Sequence, residues 1–138
     1  MSRLCEGLAV EGVRYCHWKS NEALDRSASG KNDLDLLVSR FDVQPFAQIL
    51  RRLGFKDAGP PAQKAFPGVF HSYGLDEASG RFVHVHAQYH LVIGDDMTKN
   101  YRLPIEEAYL DSAEQGPVFK VPAPEFEFVV FVIRMVLK

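Results

Sequence analysis

At 138 residues with 46 % apolar content, the chain has room for one compact domain and not for a second. A formal net charge of -2 and a pI of about 6.2 exclude a global basic field of the kind used in non-specific nucleic-acid or membrane-surface binding, so a polyanion must be gripped locally. The two cysteines, Cys5 and Cys16, lack CxxC spacing and a disulfide framework; they read as free thiols, Cys16 as core filler near Tyr15 and Trp18.

The opening residues hold no continuous apolar run ending in a small-residue cleavage site, so no signal peptide is read and a cytoplasmic location is expected. Leu4, Leu8 and Val10, with polar positions between, predict a short amphipathic helix over 2–11 that closes near Gly12. "VRYCHW" is aromatic and β-prone and predicts the first strand. "SNEALDRSAS" predicts a helix that starts at Ser20 or Asn21, packs Ala23 and Leu24, and ends at Gly30. In "DLDLLV" the period of two puts Asp33, Asp35 and Leu37 on one strand face, with Leu34, Leu36 and Val38 on the other. "DVQPFAQILRRLGF" spaces Phe46, Ile49, Leu50 and Leu53 as a helix, with Asp42 as cap and Gly54 as stop, after which Gly-Phe opens a strand. Residues 56–68 collect Gly and Pro and predict a surface loop.

Beyond that loop, "VFHSYGL" and "GRFVHVHAQYHLVI" predict two strands of a hairpin around "DEASG". The stretch "DDMTKNYRLPIEEAYLDSAEQG" is polar and mixed, with a short helix at "IEEAYLDSA"; "PVFKV" predicts a last strand, and the final helix starts after Pro122 with Pro124 in its first turn. This order predicts an α/β or α+β fold: one domain over 1–138, with a small mixed sheet flanked by helices on one side. The tail "PEFEFVVFVIRMVLK" is interrupted by Glu125, Glu127 and Arg134 and is too short and charged for a bilayer span of about 20 apolar residues, so no membrane partner is expected. It lacks a Gly, Asn or Pro stop signal. The expectation is a fragment of a longer protein, or a helix whose excess apolar face at 125–138 meets a partner or a second copy; a plain core helix is the alternative.

Asp33 and Asp35 raise the chemical question. Two like charges a few Å apart on a half-buried strand raise one pKa or demand neutralisation. A divalent cation answers this, and oxygen-only ligands favour Mg²⁺ or Mn²⁺, which combine one or two protein carboxylates with substrate phosphate oxygens. The plainer alternative is that Asp33 caps a turn and Asp35 lies on an exposed sheet face.

The string "HWKSNEALDRSASGKNDLDLLV" resembles the opening of the nucleotidyltransferase superfamily, the fold of DNA polymerase beta, over roughly residues 13–91. The strand, the small-residue turn, the helix and the strand bearing Asp-x-Asp stand in the superfamily's order. "CHWKSN" with "DLDLLV" also resembles the N-terminal region of bacterial chains that carry a thymidylate-kinase-like domain downstream, although no Walker A string occurs here. The resemblance implies metal-assisted transfer of a nucleoside monophosphate from a nucleoside triphosphate to an acceptor hydroxyl. Asp33 and Asp35 would bind metal, and Lys19, Ser20 and Asn21 would form the triphosphate turn. Two departures stand out: no glycine occupies 20 or 21, and His84 stands where the third carboxylate belongs. Imidazole supplies no negative charge and is a poor Mg²⁺ ligand.

His84, His86 and His90 recur at even spacing, so an unbroken strand would project all three beside Asp33 and Asp35. Three readings stay open: a metal site of Asp33, Asp35, His84 and His86 preferring Mn²⁺ or Zn²⁺, a general base at His84, or a polar strand face without metal. Lys19 is a phosphate partner or a surface lysine, Arg81 and Arg102 are phosphate contacts or solvated charges, and Trp18 stacks on a base or fills core. The runner-up function is a catalytically degenerate nucleotidyltransferase-like module that binds a ligand or partner, attached to a kinase-like domain. A third reading, a purely structural domain, holds that removing both aspartates relieves repulsion and stabilises the fold.

Overall fold

A computed structural model describes residues 1–95 and 101–137. The main sheet has five strands in the order β1 (Tyr15–His17), β2 (Leu34–Val38), β5 (Arg81–Gln88), β4 (Val69–Asp76), β3 (Lys56–Asp57). β2 runs parallel to β5 and the other neighbours are antiparallel, so the sheet is mixed. Four helices pack around it in pairs: α1 (Ser2–Val10) and α3 (Val43–Arg52), then α4 (Glu106–Asp111) and α5 (Pro124–Leu137). A 3₁₀ turn (Asn21–Ala23) leads into the short α2 (Leu24–Ala28). A second 3₁₀ turn (Ala62–Lys64) and two small ribbons complete the described elements, β6 (Leu91–Ile93) with β7 (Tyr101–Leu103) and β8 (Glu114–Gln115) with β9 (Lys120–Val121).

Alternation in β2 organises both layers. Leu34, Leu36 and Val38 join Val83, Val85 and Ala87 of β5 on one face, buried under Leu4 and Leu8 of α1 and Phe46, Ile49 and Leu50 of α3. Gly7 allows the α1–α3 approach, since a Cβ there would lie 2.9 Å from Ile49 Cγ2. On the opposite face, Cys16 and Leu37 are covered by Trp18, Leu91, Tyr109, Leu110 and Val130. Helices therefore flank the sheet on both sides, a correction to the one-sided expectation. Leu37 is the reason: it shares a face with Asp35, is fully buried, and needs an apolar cover.

The caps explain where elements begin and stop. α3 ends as expected, with Gly54 at φ 83° and the Phe55 and Gly54 N–H groups donating to the Leu50 and Arg51 carbonyls, both at 3.0 Å. Asp42 makes no side-chain cap on α3; its Oδ2 instead accepts the Arg14 backbone N–H at 2.9 Å and ties the helix to β1. Nor does Ser20 cap a helix: it sits at φ 59°, a left-handed conformation. The long strand predicted for 80–93 breaks after Gln88, where Tyr89 N–H donates to the Gly68 carbonyl and the chain turns into β6. His90 thus lies off β5 and does not share the face of His84 and His86. Of the polar stretch before α4, residues 96–100 lie outside the described residues.

Among the described residues no helix is long and apolar enough to cross a membrane. α5 buries Val130 yet leaves Phe128, Phe131, Val132, Met135 and Val136 exposed.

Candidate functional site

The turn after β1 places the first side chain. Trp18 N–H donates to the Asp35 carbonyl at 3.1 Å, extending the β1–β2 pairing by one bond, and the next residue, Lys19, reaches across to the Asp35 carboxylate. Lys19 Nζ and His86 Nδ1 both engage Asp35 Oδ1, at 2.9 and 2.8 Å. Register makes the second contact unavoidable, because Asp35 stands beside His86 in the parallel β2–β5 pair. Burial pushes the Asp35 carboxyl up, but the hydrogen bond from His86 and the Lys19 ammonium outweigh it, so the group is held below the ordinary carboxylate range.

Asp33 lies one residue before β2 and behaves differently. Its side chain is 58 % exposed against 10 % for Asp35, and its Oδ1 lies 2.9 Å from His84 Nδ1. The two carboxylates are thus divided between two imidazoles, one pair buried and one open.

β4 adds residues that sequence reading passed over. His71 pairs with His86 and Tyr73 with His84 across the hairpin. The rings stack as cross-strand plates, His71 on His86 at 4.7 Å and 6°, Tyr73 on His84 at 4.4 Å and 4°. His71 Nδ1 also meets His84 Nε2 at 3.0 Å. Burial, then the neighbouring His86 and His84, hold the His71 imidazole below its usual pKa and keep it neutral near pH 7. The signal was in "VFHSYGL": folding the hairpin about "DEASG" sets His71 and Tyr73 opposite His86 and His84.

The structure brings Lys19, Asp33, Asp35, His84 and His86 together and leaves the remaining candidates elsewhere. Ser20 is exposed at the rim of the turn. Asn21 turns inward, its Oδ1 meeting Nδ1 of the buried His17 at 2.6 Å. Trp18 is buried under the turn, with the Lys19 ammonium 5.3 Å and the Arg134 guanidinium 5.5 Å from its ring, and its carbonyl accepts the Tyr109 hydroxyl at 2.8 Å. Arg102 pairs with Glu106 at 2.9 Å. Arg81 falls on the opposite sheet face, beside Val83.

Among the described residues no group of three or more His, Cys, Asp or Glu side chains is arranged to hold a metal ion. The four metal candidates pair off, carboxylate to imidazole, instead of converging on a point. Asp33 and Asp35 nevertheless keep Oδ2 without a hydrogen-bond partner among the described residues. Such a donor set fits a cation delivered with phosphate oxygens better than an ion caged by protein alone.

No family model, no curated protein and no solved structure matches this chain.

Proposed function

We propose that the domain is nucleotidyltransferase-like and transfers a nucleoside monophosphate from a nucleoside triphosphate to an acceptor hydroxyl, with Mg²⁺ or Mn²⁺ as cofactor. The observation that carries the reading is the pair of Asp33 and Asp35 on the open part of the sheet face, next to the Lys19–Ser20 turn, with Asp35 held ionised despite its burial. The cation, when bound, supplies charge neutralisation for the reacting phosphate and the leaving pyrophosphate. Asp33 and Asp35 would hold it through their remaining oxygens. Lys19, already at the carboxylates, would add an ammonium beside the phosphates, and the left-handed backbone at Ser20 supports a turn that phosphate approaches closely. The imidazoles of His84 and His86 orient the carboxylates through Nδ1.

One contact favours the second reading, a catalytically degenerate module that binds a ligand or a partner. The Lys19 ammonium, 2.9 Å from Oδ1, already neutralises Asp35 without a metal. In that reading the exposed apolar residues of α5 supply surface for an attached kinase-like domain or a second copy.

Calorimetric titration with nucleoside triphosphates and Mg²⁺ or Mn²⁺, on the parent and on Asp33→Ala/Asp35→Ala, separates the two. Metal-dependent binding that disappears in the variant, with pyrophosphate released once an acceptor is supplied, supports transfer. Binding that is indifferent to metal and to both aspartates supports the degenerate module.

A further inference from the structure

α5 carries more apolar surface than the domain covers. Val130 is buried, whereas Phe128 is 66 % and Phe131 51 % exposed, and Val129, Val132, Met135 and Val136 are exposed with them. Phe128, Phe131 and Met135 follow one another at steps of three and four, so they form one seam along the helix, the spacing by which two helices interdigitate. The seam borders a groove of about 450 Å³ whose other wall is the turn at Trp18, Lys19 and Ser20. Glu127 and Arg134 line the same groove, about two turns apart, with Phe131 between them. Neither has an ion-pair partner among the described residues, and the Arg134 guanidinium lies 5.5 Å from the Trp18 ring.

Charges along the edge of such a seam select the partner and its direction. Glu127 and Arg134 occupy equivalent places beside the seam, and in an antiparallel pair the same edge of each helix meets its counterpart. A second copy turned end for end therefore sets its Arg134 beside Glu127 and its Glu127 beside Arg134, while Phe128 of each copy opposes Phe131 of the other. A parallel copy brings no such match, because the opposite edge of the seam carries Val132. One two-fold axis makes both ion pairs at once, and this self-match is what an isologous interface requires. The six exposed apolar side chains amount to roughly 500 Å² a copy and about 1,000 Å² for a pair, the least that a stable interface needs. We propose that two copies of the chain associate through α5 as an antiparallel pair, with reciprocal Glu127–Arg134 contacts. The inference selects a second copy over an attached domain as the occupant of this face, and it does not depend on nucleotidyl transfer.

Sedimentation equilibrium of the chain at concentrations from about 1 to 300 µM tests the pair, and an interface of this size predicts a dimer with Kd on the order of 10 µM. The orientation is tested by charge exchange. Glu127→Arg and Arg134→Glu each set like charges across both contacts and should weaken association about tenfold or more. The double variant restores both pairs with their signs exchanged and should regain the parent affinity to within about threefold. Phe131→Ser, at an exposed position, should leave the fold intact by circular dichroism and remove the dimer across the whole concentration range.

A monomer throughout that range overturns the proposal and leaves the seam to an attached domain. A dimer that ignores both single exchanges uses another face and overturns it equally. So does a loss in Arg134→Glu that the double variant fails to regain, since that is the result when Arg134 serves only to pack against Trp18. Absence of metal-dependent nucleotide binding would sink the transfer reading alone, because sedimentation is read without nucleotide.

Discussion

Replacing Asp35 by alanine should destabilise the domain, and the size follows from its surroundings. Its side chain is 10 % exposed and one oxygen takes two charge-assisted hydrogen bonds, from Lys19 at 2.9 Å and His86 at 2.8 Å. Hydrogen bonds to charged groups contribute roughly 1.5–3 kcal/mol each, and removing one member of a buried ion pair costs about 3–5 kcal/mol. Lys19 is 20 % exposed and can swing to water, which returns part of its share. A loss of about 3 kcal/mol is expected, or roughly 10 °C in melting temperature for a chain of this size. Urea titrations of the parent, Asp35→Ala, Lys19→Met and the double variant supply both this value and the Lys19–Asp35 coupling, expected at about 1–2 kcal/mol. An unchanged or higher melting temperature for Asp35→Ala would refute the reasoning, since that is the sign produced when Asp33 and Asp35 merely repel each other.

The same pair sets an acid limb. Because the folded Asp35 pKa lies below its unfolded value of about 3.9, its stabilisation is fully present above roughly pH 4 and is lost as pH falls through the folded value, so the stability gap between the parent and Asp35→Asn should close only in strong acid; denaturant midpoints from pH 7 to 2.5 follow it. Ser20 stands at φ 59°, so Ser20→Val should cost about 1–2 kcal/mol while Ser20→Gly is neutral or slightly stabilising in thermal melts. Tyr109→Phe should cost about 1–2 kcal/mol in urea, because the buried Trp18 carbonyl loses the hydroxyl that donates to it at 2.8 Å. Glu106→Ala should cost a similar amount, leaving the buried Leu91 N–H without the carboxylate oxygen now 3.1 Å away.

What was legible in the sequence was local and periodic. β2 and its carboxylate face followed from strict alternation, and α3 from helical spacing ended by Gly54. The contacts that passed unnoticed needed pairing across the chain. His71 joins the site only through the β4–β5 register, and Lys19 reaches Asp35 only because the Trp18 N–H continues the β1–β2 pairing. His90 misled for the converse reason: its even spacing assumed an unbroken strand, whereas β5 ends at Gln88 and the chain bends at Tyr89 and His90 before β6. The second helical layer was hinted at by Leu37, an apolar side chain on the face of the aspartates. Which segment would cover it depended on the packing of α4 and α5, which no local pattern encodes.

The position of β2 beside β5 also orders events during folding. Asp35 and His86 are 51 positions apart, while β4 and β5 are joined by a short turn. The hairpin carrying His71, Tyr73, His84 and His86 has local contacts and can form within microseconds, whereas parallel docking of β2 must close a much longer loop. The carboxylates therefore join the imidazoles only when β2 docks on β5, at a late stage of assembly. Substitutions along this seam should accelerate unfolding more than they slow refolding, and a molecule bound across it would act as a clasp on the last step to form and the first to open.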